Sequence, residues 1–146
     1  MTNFKGSKNF AHGQKTSVGV LLCNLGTPDE PTSKAVKRYL AEFLSDPRIV
    51  ELPRILWLPI LHGIILNTRP TRSAHAYSKI WTKSGSPLLC NSKNLKTKIE
   101  INLDKSWLTF KLGMRYGNPS ISSALEALID TGARQILVVP MYPAKV

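Results

Sequence analysis

Cysteine is scarce: Cys23 and Cys90 are the only two in 146 residues. Two thiols supply no disulfide framework, no CxxC metal pair and no iron–sulfur cluster. Cys23 lies in an apolar run and reads as a small core residue, so a reducing, intracellular setting is the simplest inference. Histidine is nearly as rare. His12, His62 and His75 stand in separate segments at no metal-ligand spacing, and the motifs GxSxG, GxxxxGKS and HExxH are missing. Nucleophilic and zinc-hydrolase chemistry therefore have no support.

A long uninterrupted apolar run is also missing. The greasiest stretch, IVELPRILWLPILHGIIL (49–66), is broken by Glu51, Arg54, His62, Pro53 and Pro59. A membrane-spanning helix wants about 20 nearly unbroken apolar residues. The first sixteen residues carry three lysines and no apolar stretch, which marks a polar tail and not a signal peptide.

Acid is missing over one long interval. Between Pro53 and Ile99 there are eight basic residues and no acidic one, within a chain of net charge +11. Such a field favours an anionic partner: a ligand bearing carboxylate or phosphate, nucleic acid, or an acidic membrane surface. The plain alternative is a solvated basic face. Nucleic acid is disfavoured, since no basic stripe carries interleaved aromatics and no DNA- or RNA-binding motif occurs.

What remains is the material of one soluble domain, 42% hydrophobic and 20% charged. Val18 to Leu25 is an almost continuous apolar run, as in a strand covered on both faces. After the turn, Thr32 or Ser33 can cap a helix whose apolar positions Val36, Tyr39, Leu40, Phe43 and Leu44 share one stripe. Asp46-Pro47 ends it. A second helix or broken helix is expected over 53–66, either buried or facing something greasy. Another is expected over 70–81, with Ala74, Tyr77 and Trp81 on one face. Gly85-Ser86-Pro87 then breaks the chain, and Ser92 can cap a lysine-rich helix reaching about Asn102.

Alternation at Leu108, Phe110, Leu112 and Met114 predicts a strand. The next helix has Asn118 as its expected cap, Pro119 in its first turn and Gly132 as its stop. Ile136 to Val139 reads as a short buried strand closed by Pro140. Strands alternating with helices predict an α/β fold, a Rossmann-like parallel sheet with helices on both faces. Ligands collect outside the carboxyl ends of such strands, so Asn24–Pro28, Arg115–Pro119 and the segment from Met141 onward should share one rim.

The turn after the first strand offers a single glycine, Gly26, where a phosphate cradle would want several. Arginine is better represented. Arg69 and Arg72 flank Pro70 before the helix over 70–81, with Tyr77 and Ser86 downstream. Guanidinium forks grip carboxylates in paired hydrogen bonds, and hydroxyls complete such a clamp. Ordinary surface side chains would show the same spacing, but the adjacent greasy segment suits a mostly hydrophobic ligand with acidic arms. Arg115 and Tyr116 follow the second strand. Gly113 and Gly117 beside them allow close backbone approach or simply permit turns.

VLLCNLGTPDEPTSKAVKRYLAEFLSDPRIVELP, then RPTRSAHAYSKIW and GSPLL, then GMRYGNPSISSALEAL and VVPMYP, resemble the ferrochelatase family from about Val18 to Pro143. Ferrochelatases insert ferrous iron into protoporphyrin IX, the last step of haem biosynthesis. The resemblance implies a chelatase fold of two similar Rossmann-like halves with a porphyrin cleft between them. It implies a tail over 1–16 and, over 17–146, the first of those domains, ending before the second. Asn24, Leu25, Gly26 and Thr27 would lie against the macrocycle. Arg69, Arg72, Tyr77 and Ser86 would hold its propionates, and Arg115 and Tyr116 would line the opposite side.

The family's metal-handling histidine and glutamate fall in the second half, and none of the three histidines here matches the former. The resemblance thus implies protoporphyrin IX as partner, iron as substrate without a resident cofactor, and an activity impaired unless a separate C-terminal half is supplied. It also implies a cytoplasmic location, with 53–66 as a lip that dips into a membrane surface. The alternative is a non-catalytic porphyrin- or haem-binding module or remnant.

Overall fold

The computed structural model describes residues 17–103 and 106–142, so the tail expected over 1–16, with His12, lies outside the described residues. Strand β1 (Ser17–Thr27) is followed by helix α1 (Ser33–Ser45), helix α2 (Arg54–Ile60), a π-helical stretch (Leu61–Ile65) and helix α3 (Leu66–Ile80). Then come α4 (Pro87–Asn102), β2 (Leu108–Gly117), α5 (Ile121–Asp130) and β3 (Ala133–Pro140). All pairing is parallel, in the order β2-β1-β3, so the first strand made is the middle one.

The central position explains the apolar run in β1. Val20 and Leu22 pack with Phe110, Leu112 and Met114 of β2 under Leu89 and Ile99 of α4. Leu21 and Cys23 turn the other way, onto Ala124 and Leu128 of α5. Alternation along one strand thus serves two layers, which is the α/β arrangement expected. Helix α1 forms as its signals indicate, with the Thr32 side chain accepting from Ala35 N–H and Asp46 closing it in an extended conformation.

Four expectations need correction. The two helical pieces over 53–66 and 70–81 join into one rod from Arg54 to Ile80, with Pro59 and Pro70 inside it. The π-helical stretch lies between the two prolines, and each proline removes one helix donor that the rod does without. Side chains help, since Asn67 Nδ2 donates to the carbonyls of His62 and Gly63 and Thr68 Oγ1 to that of Ile64. The rod buries Leu61 and Leu66 against Leu44 of α1, and the Trp57 indole donates to Leu44 C=O at 2.7 Å. Much of its apolar surface is nonetheless exposed, Ile55 to 87% and Leu56 to 63%.

Helix α4 starts after Ser86 and not at Ser92: Ser86 holds the cap position without a side-chain cap bond, and Pro87 takes the first helical position for which its fixed φ is suited. Helix α5 is capped by Ser120 and not by Asn118, the Ser120 hydroxyl accepting from Ser123 N–H. Finally, β3 is not buried on both faces. It lies at the sheet edge, where Leu137 is 55% and Val138 54% exposed.

Candidate functional site

The carboxyl ends of β1 and β2 meet at two glycines in left-handed conformations. Gly26 has φ +119° and Gly117 φ +81°, and they pair with Tyr116 and Thr27 across the ladder. A Cβ on Gly26 would fall on the Tyr116 carbonyl, and one on Gly117 would lie 2.7 Å from the Thr27 carbonyl oxygen. Gly26 is therefore present for strand approach: its place is filled by the neighbouring backbone. The Tyr39 hydroxyl of α1 donates to its carbonyl at 3.3 Å.

Around this joint, polar side chains fasten β1 to α4. Asn24 Nδ2 donates to Ser92 Oγ at 3.0 Å, and Ser92 Oγ donates in turn to Leu88 C=O at 2.7 Å. Asn24 Oδ1 accepts from Leu25 N–H at 2.8 Å, and Thr27 Oγ1 donates to Ser86 Oγ at 2.8 Å. Asn24, Thr27, Ser86 and Ser92 are all buried, and each is satisfied, as buried polar groups must be to avoid a desolvation penalty. Leu25 is half-buried.

A second cluster lies beside it. Asp46 Oδ2 accepts from Arg115 Nη2 at 2.7 Å and from the Tyr116 hydroxyl at 2.8 Å, and Arg115 Nε donates to the same hydroxyl at 3.1 Å. Asp46 Oδ1 accepts from Arg48 N–H at 2.8 Å, which fixes the carboxylate at the end of α1. Phe43 stands edge-on to Tyr116 with centroids 5.1 Å apart, and Glu42 accepts from Gly117 N–H at 3.0 Å. The cluster opens onto a cleft of about 550 Å³ bordered by Glu42, Ser45, Arg48 and Ile121.

The Arg48 amide, with Arg115 and Tyr116, holds the Asp46 carboxyl down at about 2. Burial pushes the Tyr116 phenol up, and the Tyr116 and Asp46 hydrogen bonds raise Arg115 further. At neutral pH the cluster is thus a carboxylate, a guanidinium and a neutral phenol. It positions groups and does not exchange protons.

The remaining candidates sit on the rod and just after it. Arg69 and Arg72 lie within α3, where a start only at residue 70 had been expected, and face solvent. Three residues apart on a helix, they are neighbours on one face. Among the described residues neither makes an ion pair or hydrogen bond. Tyr77 lies on the inner stripe with Pro70 and Ala74, edge-on to Trp81 at 6.2 Å, and burial raises its phenol pKa. The structure thus joins Thr27 to Ser86 and Arg115 to Tyr116, while no hydrogen bond joins the two arginines of α3 to Tyr77 or Ser86. No group of three metal-ligating side chains occurs among the described residues.

A family model described as Ferrochelatase matches residues 17–145. The chain belongs to the ferrochelatase family. The match opens with the first residue of β1 and takes in every element of the fold. The chain is 50% identical over 143 residues to a ferrochelatase of Idiomarina loihiensis, covering 96% of this chain and 39% of that one. It is 49% identical over 140 residues to a ferrochelatase of Teredinibacter turnerae, covering 94% and 38% respectively. Against ferrochelatase 2 of Shewanella oneidensis it is 50% identical over 134 residues, covering 90% and 41%. This ferrochelatase-family chain therefore spans about two fifths of the length of these relatives. Within the candidate site, Asp46 is a partner of Arg115 and Tyr116 that the sequence does not announce. Its Asp-Pro context signals a helix stop, and the partners that give it a second role are 69 and 70 positions away.

Proposed function

We propose that this chain forms one wall of a porphyrin site that serves insertion of ferrous iron into protoporphyrin IX. The observation that carries the reading is the pair of uncompensated guanidinium groups on α3, one turn apart, on a rod whose first half exposes Ile55, Leu56, Ile60 and Ile64. A flat apolar ligand with two carboxylate arms suits both features. In this reading Arg69 and Arg72, with Tyr77 and Ser86, receive the propionates. The backbone of Asn24, Leu25, Gly26 and Thr27 faces the ring, and Arg115 and Tyr116 line its other side.

Metallation must remove two pyrrole protons and deliver a cation to the ring centre, which calls for a base titrating near neutrality. We assign that base, and the second wall needed to bend the macrocycle, to residues outside these 146, on the same polypeptide or on a separate C-terminal half. In the same reading the protein works in the cytoplasm, and the exposed isoleucines of the rod touch a membrane surface. No helix among the described residues is long and apolar enough to cross one.

The test is a visible-absorption titration with protoporphyrin IX and with its dimethyl ester. Each charge-assisted hydrogen bond is worth about 1.5–3 kcal/mol, so Arg69→Ala or Arg72→Ala should weaken binding of the free acid by roughly 10–100-fold. Ester binding should hardly change. Equal losses for both ligands would remove the propionate assignment. Adding ferrous iron to the bound acid then tests whether haem forms only when a C-terminal half is supplied.

A further inference from the structure

The outer edge of β2 is open, and it is built differently from the edge of β3. Val18 N–H donates to Trp107 C=O, so the backbone groups of residues 109, 111 and 113 turn toward β1. Those of Leu108, Phe110 and Leu112 turn away from the sheet. Met114, next in that outward set, is satisfied by a hydrogen bond from its N–H to Pro119 C=O. Phe110 and Leu112 find no hydrogen-bond partner among the described residues, although both are only 7% exposed. Unpaired backbone groups on buried residues are uncommon.

Leu112 and its neighbour Lys111 give onto a cleft of about 440 Å³ at this edge, one step along the strand from Phe110. Lys93, Lys96 and Thr97 of α4 border it on the Leu112 face, and Lys111, Ser123 and Ala124 on the other. No acidic residue lines it. Lys96 is paired with Glu100 at 2.6 Å, while Lys93 and Lys111 have no ion-pair partner among the described residues. The cleft thus combines outward-facing strand donors and acceptors, an apolar floor and two free cations on opposite faces.

We propose that this edge is a docking site for an extended acidic peptide segment, which adds to the sheet as a further strand beside β2. The peptide backbone pairs with Phe110 and Leu112, and carboxylates at adjacent positions, which point to opposite faces of a strand, reach Lys93 on one face and Lys111 on the other. The same lysines disfavour a second copy of the chain, because self-pairing would set like charges against each other. The proposal does not depend on the porphyrin reading, since the cleft lies on β2 between α4 and α5 and involves none of the residues assigned there.

The probe is a seven-residue peptide with blocked ends in which two adjacent glutamates at the centre are flanked by valine and threonine, added to the full chain. Amide exchange at Phe110 and Leu112 should be fast in the free protein and slowed on binding. The double variant Lys93→Glu, Lys111→Glu should bind at least about 10-fold more weakly, the loss expected for charge-assisted contacts. The charge-matched double variant Lys79→Glu, Lys83→Glu should stay within about 2-fold. N-methylation of alternate peptide nitrogens should abolish the protection. Equal losses for the two double variants would overturn the proposal, as would undiminished binding of the methylated peptide or unchanged exchange at Phe110 and Leu112. Slow exchange at both amides in a peptide-free dimer would assign the edge to a second copy, and overturn it as well.

Discussion

Gly26 allows the strand-end geometry to be tested by stability alone. Three glycine-to-alanine variants separate two effects. Gly63, in the π-helical stretch, has an ordinary φ and open space where a Cβ would sit, so alanine there should be neutral or stabilising by about 0.5–1 kcal/mol. Gly132, after α5, also has open space but a φ of +81°, so alanine meets only the backbone penalty of about 1–2 kcal/mol. Gly26 has φ +119° and would place its Cβ on the Tyr116 carbonyl, which cannot swing aside because it belongs to the β1–β2 ladder. A backbone cost of about 1–3 kcal/mol then adds to an overpacking cost of about 1–3 kcal/mol, together about 2–6 kcal/mol. Against a domain stability of about 5–15 kcal/mol this is a large fraction. Urea denaturation of the three variants beside the parent should give the order Gly63→Ala, Gly132→Ala, Gly26→Ala, from most to least stable. A Gly26→Ala protein within about 0.5 kcal/mol of the parent would show that the strand ends do not approach as described.

Asp46 should report on pH. Its native carboxyl titrates at about 2 against an unperturbed 3.8, so the stability it confers is full above about pH 4 and is lost as pH falls toward 2. Asp46→Asn should therefore flatten the acid limb of the stability curve over that window, and parallel curves for the two proteins would refute the assignment. In the core, Leu128 is fully buried against β1, so Leu128→Ala should cost about 2–5 kcal/mol. Leu137→Ala on β3 should stay within about 0.5 kcal/mol. Thermal unfolding compares the two, and equal losses would mean that β3 is covered in solution.

The layers of this fold were legible because their signals are local. The apolar run through Leu21 and Leu22 announces a strand with two faces, and the Thr32 cap with the Val36–Leu44 stripe announces α1. Errors arose wherever a residue type has two uses. Serine caps helices and also satisfies buried neighbours. Ser92 does the second, holding Asn24, while Ser86 occupies the cap position. Proline usually breaks helices but is also tolerated within them, as Pro59 and Pro70 are here, and nothing local distinguishes Leu61–Ile65 from an ordinary helical run. The apolarity of Ile136–Val138 indicates a strand but not whether anything packs upon it. In the candidate site, the sequence singles out Thr27, Ser86, Arg115 and Tyr116, and the structure hydrogen-bonds them in two pairs. The Asp46 link was not legible, because it is a contact between α1 and β2 that no periodicity encodes.

The placement of β1 in the middle of the sheet sets a timing problem for synthesis. The strand that every other layer needs leaves the ribosome first, apolar on both sides, and has to wait for both of its neighbours. Ser17 Oγ bonds Gly132 C=O across 115 positions of sequence. At the usual elongation rate of about 5–20 residues per second, that partner follows roughly 6–23 s later. Closing so large a loop is slow even once both ends exist. For that interval Val20, Leu21 and Leu22 are sticky and unpaired, which makes β1 the segment a chaperone would find exposed on the nascent chain.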